Sequence, residues 1–487
     1  MIQRLCLMLA IAIGMSSVAA SQSATITPEK ITAIDAFVDD RLTALGMPGA
    51  AIALIQDGDI IHAKGFGTVS FGGGTVTADT PFELGSISKS FAATAILLLS
   101  EAGKLNLDDP VIEHLHWFRT HQAFRSDQIT LRHLLTHRSG LTTYDGNRTH
   151  ARLDMGPAAM SDAVRTFSRF RLRTDPGDQY QYSNANYLLL GAVVEAVSGQ
   201  PYEIFIGERI LQPLGLENSW AGPAPQGRSD VARPHRYWFG SVAEHQTRPS
   251  RVHSAYGGMR ASARDLATYL RSFTDDSNAL LSAESRADMM TISEPGSEPG
   301  YGLGWFVADT GTHKLVYHTG ANPGFSTIAG ISTDGRFGFV ALVNGQSSFT
   351  DQNVPSLPAG VADLALDRPI PPVSMPLQIR VLRGAVLILP AALLLWLVVI
   401  VIRRQRRGFR TLSDLTPLGI FGRVVVPSIA MLVLAYGLYV YLPRLNTVPM
   451  SAVNLFSPDI GFMLTLSALL ALVIAIVRPI LRLKPRP

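Results

Sequence analysis

The sequence predicts a mixed α/β protein, in which an antiparallel sheet is flanked by helices with a helical lobe, followed by three transmembrane helices. Segments rich in β-branched and aromatic residues lie near both ends of residues 25–365, and the segments between them favour helix. Three apolar stretches without charged residues follow residue 383. A domain with strands at its two ends and helices in its middle therefore precedes a membrane region.

Two turn signals mark the predicted strands. Asp57 and Gly58 form a typical hairpin dipeptide between residues 50–55 and 59–65. Asp334 and Gly335 give the same signal between the last two of four β-rich segments: 304–307, 314–318, 327–332 and 337–343. We expect the first and last strands to pair in one antiparallel sheet.

The charge distribution argues against nucleic-acid binding. The chain of 487 residues has a net charge of +4, but residues 381–487 hold 12 basic and 2 acidic residues, which leaves a net charge of −6 on residues 1–380. The basic excess therefore belongs to the membrane-flanking segments. Cys6 is the only cysteine, so the sequence excludes a disulfide framework and a cysteine-based zinc site.

Residues 1–24 resemble a secretory signal peptide. Arg4 is the only charged residue before Glu29, an apolar run covers residues 5–14, and the small residues at 18–20 offer a cleavage site. The run is short for a membrane span, so we expect cleavage rather than an uncleaved anchor.

The C-terminal region predicts three spans and their orientation. Residues 384–402, 424–442 and 460–477 are each close to the roughly 20 apolar residues that cross a bilayer. The 403–423 loop and the 478–487 tail are rich in arginine and lysine, whereas the remaining loop holds only Arg444. Because positive charge stays on the cytoplasmic side, everything before residue 384 is predicted to be outside, in agreement with the signal peptide.

The predicted domains follow from these segments. A folded domain covers residues 25–365, and the Pro-rich stretch within 366–383 predicts a stiff linker to the membrane. The membrane region covers residues 384–477, and a basic cytoplasmic tail covers residues 478–487.

Ser86 and Lys89 form the first candidate catalytic pair. They lie at the start of the helix predicted over 91–101, which has Gly103 as its C-cap, and residues three apart share one helix face. A serine hydroxyl needs a nearby base, and a desolvated lysine can lose its proton near neutral pH. The helix N-terminus supplies N–H groups for a developing oxyanion. Alone, the pattern fits equally well an exposed helix start with Ser86 as N-cap.

Two further motifs follow along the chain. Tyr182 and Asn184 precede a predicted helix; a tyrosinate can shuttle protons where cations hold its pKa down, and an asparagine can orient a substrate amide. His318, Thr319 and Gly320 end a predicted strand, where a glycine lets a substrate lie against the backbone. Each motif alone also fits an ordinary polar loop or strand-end turn.

Taken together and in this order, the motifs resemble S-x-x-K, Y-x-N and [KH]-T-G of the serine β-lactamase-like hydrolases. That family includes class C β-lactamases, low-molecular-mass penicillin-binding proteins, D-amino-acid peptidases and family VIII esterases. Further similarity lies in four segments: 82–85, 103–110, 134–141 and 257–266. The resemblance covers residues 30 to about 350 and implies a β-lactamase/transpeptidase-like fold.

The resemblance implies a role for each motif residue. Ser86 is the expected acylated nucleophile, Lys89 activates it, and Tyr182 is the proton shuttle of acylation and deacylation. The backbone N–H groups of Ser86 and Ala321 are expected to form the oxyanion hole. The implied substrate-binding residues are Asn184, His318, Thr319, Gly320 and Ala321. The implied reaction is acyl transfer to water through an acyl-enzyme, and it requires no cofactor.

His318 departs from the lysine that β-lactamases and peptidases of the family usually carry. That lysine favours a substrate carboxylate, whereas a histidine of ordinary pKa is mostly neutral at pH 7. We therefore expect a membrane-anchored, extracytoplasmic serine hydrolase that acts on an ester or amide, such as an envelope peptide or D-amino-acid substrate. Alternatives are a β-lactamase or penicillin-binding DD-peptidase, and a membrane receptor whose outer domain binds or is acylated by a cell-wall peptide or β-lactam.

Rival chemistries have weaker sequence support. A nucleophile elbow needs G-x-S-x-G, and the segment from Gly324 to Ser326 lacks the second glycine. Five histidines lack the spacing of a known metal-ligand set, so we expect no metal site: His114, His116, His121, His133 and His137. The expected partners are an envelope substrate, small molecule or peptide, and the lipid bilayer, without nucleic acid.

Overall fold

The computed structural model describes residues 25–225, 227–293, 300–309, 314–346, 354–371, 377–407, 412 and 415–483. The predicted signal peptide and the last four residues of the basic tail lie outside these ranges. The described residues divide into two compact units, one up to residue 371 and the other from residue 377.

The strands of the first unit are β1 (Gly49–Gln56), β2 (Asp59–Gly67), β3 (Phe82–Glu83), β4 (Trp220–Ala221), β5 (His235–Trp238), β6 (Ser241–Glu244), β7 (Met259–Ala261), β8 (Gly300–Tyr301), β9 (Phe306–Asp309), β10 (Lys314–Asn322), β11 (Phe325–Ser332) and β12 (Phe337–Val343). Seven of them form one antiparallel sheet in the order β2-β1-β12-β11-β10-β9-β8. Smaller sheets join β3-β7-β4 and β5-β6.

The helices of the first unit are α1 (Pro28–Leu45), α2 (Ser88–Glu101), α3 (Val111–His114), α4 (Ala123–Ser126), α5 (Leu131–Leu135), α6 (Thr143–Arg148), α7 (Ala159–Arg165), α8 (Asn184–Ser198), α9 (Tyr202–Ile206), α10 (Ala263–Arg271), α11 (Ala283–Met289) and α12 (Ser356–Ala365). Those between β3 and β4 form the helical lobe. This arrangement confirms the predicted fold class.

The pairing of the chain ends confirms the expected sheet. β1 runs antiparallel to β12, with Ala50 opposite Val343. Asp57 and Gly58 have φ of 50° and 84°. A two-residue hairpin turn needs positive φ at both residues so that its twist matches that of the two strands. Gly335, at φ 72°, turns the chain between β11 and β12 in a similar way.

The central strands are apolar on both faces because helices cover both faces. Along β1, Ala51, Ala53 and Ile55 belong to the core that contains α2 and α8, whereas Ile52 and Leu54 belong to the core that contains α1 and α12. Alternate residues of a strand point to opposite faces, so one buried run serves two cores. The first of these cores lies behind the candidate site.

Three elements have bounds that differ from those predicted from the sequence. α2 begins at Ser88, three residues before its predicted start, and ends at Glu101. Gly103, at φ 65°, terminates it as predicted, and its N–H donates to the Ser100 carbonyl oxygen. β10 continues beyond the predicted end at residue 318, because pairing with β11 extends as far as Asn322. α8 begins at Asn184, so the Tyr182 motif directly adjoins the helix.

The second unit contains α13 (Leu377–Arg407), α14 (Pro417–Ile420), α15 (Val426–Tyr436), α16 (Leu442–Leu445), α17 (Met450–Phe456) and α18 (Pro458–Leu483). Turns of π-helix join α14 to α15 and α15 to α16 into one continuous helix. By length and composition, three helical segments are able to cross a membrane: Arg380–Arg406, Pro417–Leu445 and Pro458–Leu481. They contain the three predicted spans.

Gly58→Ala tests the hairpin turn. No atom lies within 4 Å of the added Cβ, so only the positive φ opposes it, and we expect the free energy of unfolding to fall by about 1 kcal/mol. The measurement is chemical unfolding of the full chain in detergent, followed by tryptophan fluorescence.

Gly207→Ala is the matched control for the hairpin test. Gly207 also has open space around its Cα, but its φ is −57°. Alanine should leave stability unchanged or raise it, because it restricts the unfolded chain. Equal losses in both variants would contradict the role given to φ at Gly58.

Candidate active site

A tight turn presents Ser86 between β3 and α2. Residues Gly85–Ile87 form a 3-10 turn, and Gly85 has φ 57°. Ser86 is half-buried, whereas its neighbours on both sides are buried. A Cβ on Gly85 would lie 2.5 Å from the backbone nitrogen of Ala321, and one on Gly320 would lie 1.9 Å from the Leu84 carbonyl oxygen. Only glycines allow this turn to lie so close to β10.

Lys89 lies directly beside the serine. Its Nζ is 3.0 Å from Ser86 Oγ and donates a second hydrogen bond of 2.9 Å to the Tyr256 carbonyl oxygen. The side chain is fully buried, and this burial lowers the pKa of Lys89 well below its usual value. Neither partner is a carboxylate, so the amine has no counter-ion to hold its proton. A neutral amine can accept the proton of the serine hydroxyl.

Tyr182 completes the group around Ser86. Its hydroxyl hydrogen-bonds with Ser86, and Lys89 Nζ lies 4.9 Å from the centre of its ring. Burial raises the pKa of Tyr182, and the hydrogen bond with Ser86 opposes this only in part. The free protein therefore holds a phenol here instead of the tyrosinate considered from the sequence. A phenol can donate a proton to a leaving group and recover it from Lys89.

His318 lies in the wall of the site, with 1% of its surface exposed. Its Nδ1 is 2.6 Å from the Thr319 carbonyl oxygen, and its Nε2 is 3.3 Å from the Tyr301 hydroxyl. Burial and the neighbouring Lys89 lower the pKa of His318 to about 3. The ring is therefore neutral at pH 7, and each of its nitrogens lies within hydrogen-bond distance of a protein group.

One edge of β10 is open beside Ser86. β9 pairs with β10 only from Lys314 to Tyr317, whereas β11 pairs with it as far as Asn322. Within the described chain, residues 318–322 thus have a strand on one side only. Thr319 and Ala321 are half-buried on this segment. An extended substrate could pair with this edge as an added strand.

A buried polar network fixes the far end of β10. Asn322 Nδ2 donates to Glu83 Oε2 at 2.8 Å and to the Gly257 carbonyl oxygen at 2.7 Å. Glu83 also forms an ion pair with Arg260. These bonds tie the end of β10 to β3 and β7, and so to the turn that carries Ser86.

His137 supports the segment that carries Tyr182. Its Nδ1 accepts hydrogen bonds from the Ser183 backbone N–H at 3.2 Å and from Asn186 Nδ2 at 2.9 Å. Its ring lies 4.3 Å from the ring of Tyr182, and burial lowers the pKa of His137. It is a structural group that holds the segment of Tyr182 in place.

Several residues of the site were not predictable from the sequence. The carbonyl of Tyr256, the hydroxyl of Tyr301 and the side chain of Asn322 carry no motif of their own. Asn184 was expected, but its two neighbours Asn147 and His150 were not. The chain separations of these contacts are too long for any local pattern to reveal them.

A serine, a buried lysine and a tyrosine that converge beside an open β-strand define the site of a β-lactamase-like fold. The Beta-lactamase family model matches residues 34–357, and the chain belongs to this family.

Individual relatives agree with this assignment. Protein flp of Staphylococcus aureus (strain MW2) is 27% identical in an alignment of 354 positions that covers 68% of this chain and 66% of that protein, so the chain spans slightly less than two thirds of it. The octameric penicillin-binding protein homologue from Pyrococcus abyssi has a TM-score of 0.59 and 28% identity, over 69% of this chain and 78% of its own. A D-stereospecific amidohydrolase from Streptomyces sp. has a TM-score of 0.53 and 26% identity, over 63% and 94%.

The buried histidine predicts a loss of stability in acid. The pKa of His318 is about 3 in the folded protein and near 6.5 in an unfolded chain. The unfolded state therefore binds more protons between these values, and the contribution of His318 to stability is lost as pH falls from about 6.5 to about 3. Unfolding of the full chain at several pH values should show a shallower acid loss in His318→Gln than in the wild type. Identical slopes would contradict the assignment.

Proposed function

We propose that this protein is a serine hydrolase that works through an acyl-enzyme on an ester or amide. The observation that carries the proposal is the 3.0 Å hydrogen bond between Ser86 Oγ and a fully buried Lys89 whose other hydrogen bond goes to a carbonyl oxygen. A buried amine without a carboxylate partner is a base at neutral pH, and a serine beside it becomes a nucleophile.

Acylation begins with the transfer of the Ser86 proton to Lys89 Nζ while Oγ bonds to the substrate carbonyl carbon. The carbonyl oxygen becomes an oxyanion, and the N–H groups of Ser86 and Ala321 serve as its donors. The carbon–leaving-group bond then breaks. Tyr182 gives its hydroxyl proton to the leaving oxygen or nitrogen and recovers a proton from the Lys89 ammonium, so the base returns to its neutral form.

Deacylation uses the same groups in reverse. Lys89 takes a proton from a water molecule through Tyr182, and the water oxygen bonds to the acyl carbon. The bond from that carbon to Ser86 Oγ then breaks, and Oγ receives the proton. The products are a carboxylic acid and the original hydroxyl, so each cycle consumes one water.

The neutral His318 supports substrates that do not depend on a carboxylate for binding. A lysine at this position could pair as an ammonium with a substrate carboxylate, whereas a histidine with a pKa of about 3 carries no charge at pH 7. Similarity to the penicillin-binding protein homologue and to the D-stereospecific amidohydrolase supports an envelope peptide or D-amino-acid derivative. A β-lactamase activity is the less favoured alternative.

The proposed location is the outer face of the cell membrane. Three apolar helices support anchoring, and the basic residues of the 403–423 loop and of the tail support an extracytoplasmic domain. In that orientation the site would meet substrates of the cell envelope.

Ser86→Ala tests the acyl-enzyme directly. Hydrolysis of p-nitrophenyl acetate by the full chain in detergent should fall at least about a thousandfold, because the nucleophile is lost. Ser100→Ala, on the same helix α2, is the matched control and should retain full activity. Trapping of the acyl group by intact mass should succeed only where Ser86 is present. A stable, stoichiometric adduct without turnover would favour the receptor alternative.

His318→Lys tests the role of the neutral histidine. A substrate carboxylate would stabilise the ammonium form of a lysine at this position, so the ratio of kcat/KM for nitrocefin to that for p-nitrophenyl acetate should rise about tenfold or more. The neutral His318→Gln variant should leave this ratio near the wild-type value. A wild-type enzyme that hydrolyses a cephalosporin faster than short-chain p-nitrophenyl esters would contradict the preference.

A further inference from the structure

Three tyrosine rings surround the amine of Lys89. Its Nζ lies 4.9 Å from the ring centre of Tyr182, 5.7 Å from that of Tyr187 and 5.8 Å from that of Tyr256. A cation over the face of an aromatic ring is attracted to it within about 6 Å of the ring centre. All three rings satisfy this distance. They come from three parts of the chain: the segment before α8, α8 itself and the segment before β7.

Tyr187 and Tyr256 are fixed in place by their hydroxyl groups. Both side chains are buried. The Tyr187 hydroxyl donates to the Leu135 carbonyl oxygen at 2.8 Å, and the Tyr256 hydroxyl accepts from Thr149 Oγ1 at 2.9 Å. Because other groups bind these hydroxyls, the two side chains present their rings to Lys89.

The proposed reaction places a positive charge among these rings. Lys89 becomes an ammonium when it takes the proton of Ser86, and its other hydrogen bond goes to a carbonyl oxygen. Burial favours the neutral amine in the resting protein, and the same burial opposes the ammonium that the reaction forms. An aromatic face can stabilise that ammonium through its quadrupole, although it carries no net charge.

Fixed charges do not supply this stabilisation. Three histidines interact with the charge of Lys89, and burial lowers the pKa of each of them: His137, His150 and His318. A neutral imidazole offers no negative charge. Glu83, the carboxylate at the far end of β10, forms an ion pair with Arg260 instead of with Lys89. The tyrosine rings are therefore the groups around Nζ that attract a cation.

We infer that the rings of Tyr182, Tyr187 and Tyr256 form an aromatic cage that stabilises the ammonium form of Lys89 during acylation. The inference rests on the proposed acyl-enzyme function and deepens it. A carboxylate would hold the proton of Lys89 in the resting protein and remove the base, whereas uncharged rings attract the ammonium more weakly. Tyr187 and Tyr256 are positioning residues, since they act on the reaction through Lys89.

The test changes the charge distribution of one ring with little change in its shape. Tyr256 of the full-length protein is replaced by phenylalanine and by phenylalanines that carry increasing numbers of fluorine atoms on the ring. Fluorine withdraws electrons from the ring face and weakens its attraction for a cation. In detergent, kcat/KM for p-nitrophenyl acetate should stay within about threefold of the wild type in Tyr256→Phe, and it should fall about tenfold along the fluorinated series.

The pH dependence identifies the amine as the group that is affected. The cage favours the charged form, so a weaker cage lowers the pKa of Lys89. The active form is the neutral amine, and the acid limb of kcat/KM should therefore move to lower pH along the series, by up to about one unit. The plateau falls because a weaker base accepts the serine proton less readily. A packing defect would lower the plateau and leave the acid limb in place.

Tyr269 provides the matched control. It is also buried against α2, where its ring stacks on Phe91 at 3.9 Å. In the described part of the chain, no cationic side chain lies over the Tyr269 ring. The same fluorinated series at Tyr269 should leave the acid limb unchanged. A series at Tyr187 repeats the test on another ring of the cage, if the Tyr256 variants fail to fold.

The outcomes separate the two proposals. A wild type without hydrolysis that depends on Ser86 would overturn the proposed function. Equal kcat/KM and one common acid limb along the Tyr256 series would overturn the cage and leave the acyl-enzyme intact. A loss of activity without a shift of the acid limb, or an equal shift in the Tyr269 series, would also overturn the cage.

Discussion

The site depends on the burial of one amine without an acidic partner. Lys89 is fully enclosed, and its hydrogen bonds go to Ser86 Oγ and to a backbone carbonyl oxygen. Transfer of a charged amine from water to such a position is unfavourable, so the neutral form prevails and its lone pair becomes available. A carboxylate at the same place would stabilise the ammonium and remove the base. The packing of helices α2 and α8 against the sheet excludes water from Lys89.

The same desolvation sets the protonation states of the neighbouring groups. It raises the pKa of Tyr182 and lowers the pKa of His318 and of Lys89, so burial favours the neutral form of all three groups. Lys89 and Tyr182 can then exchange protons in the proposed reaction without a fixed charge that opposes the step. A substrate would meet a site that offers directed hydrogen bonds instead of a charge.

Local sequence was sufficient for several elements and insufficient for others. The turn at Asp57 and Gly58 was predictable because the dipeptide itself favours the left-handed conformation that the hairpin needs. The end of β10 was not, because its extension to Asn322 depends on hydrogen bonds to β11. The start of α2 was also missed, since the 3-10 turn before it is shaped by the contact between Gly85 and Ala321. In both places a distant strand determined the backbone.

The sequence by itself determined the fold class, the apolar helices of the C-terminal region and the Ser86, Lys89 and Tyr182 motifs. These follow from short-range signals: residue spacing, apolar length and turn-forming dipeptides. Only the tertiary structure decided the pKa shifts of the site and the hydrogen-bond partners of the Asn184 amide. The residues that bury Lys89, and partners such as His150, come from segments far apart in the chain. A pKa and the orientation of an amide depend on all the groups that surround a side chain, and most of these groups are not its neighbours in the sequence.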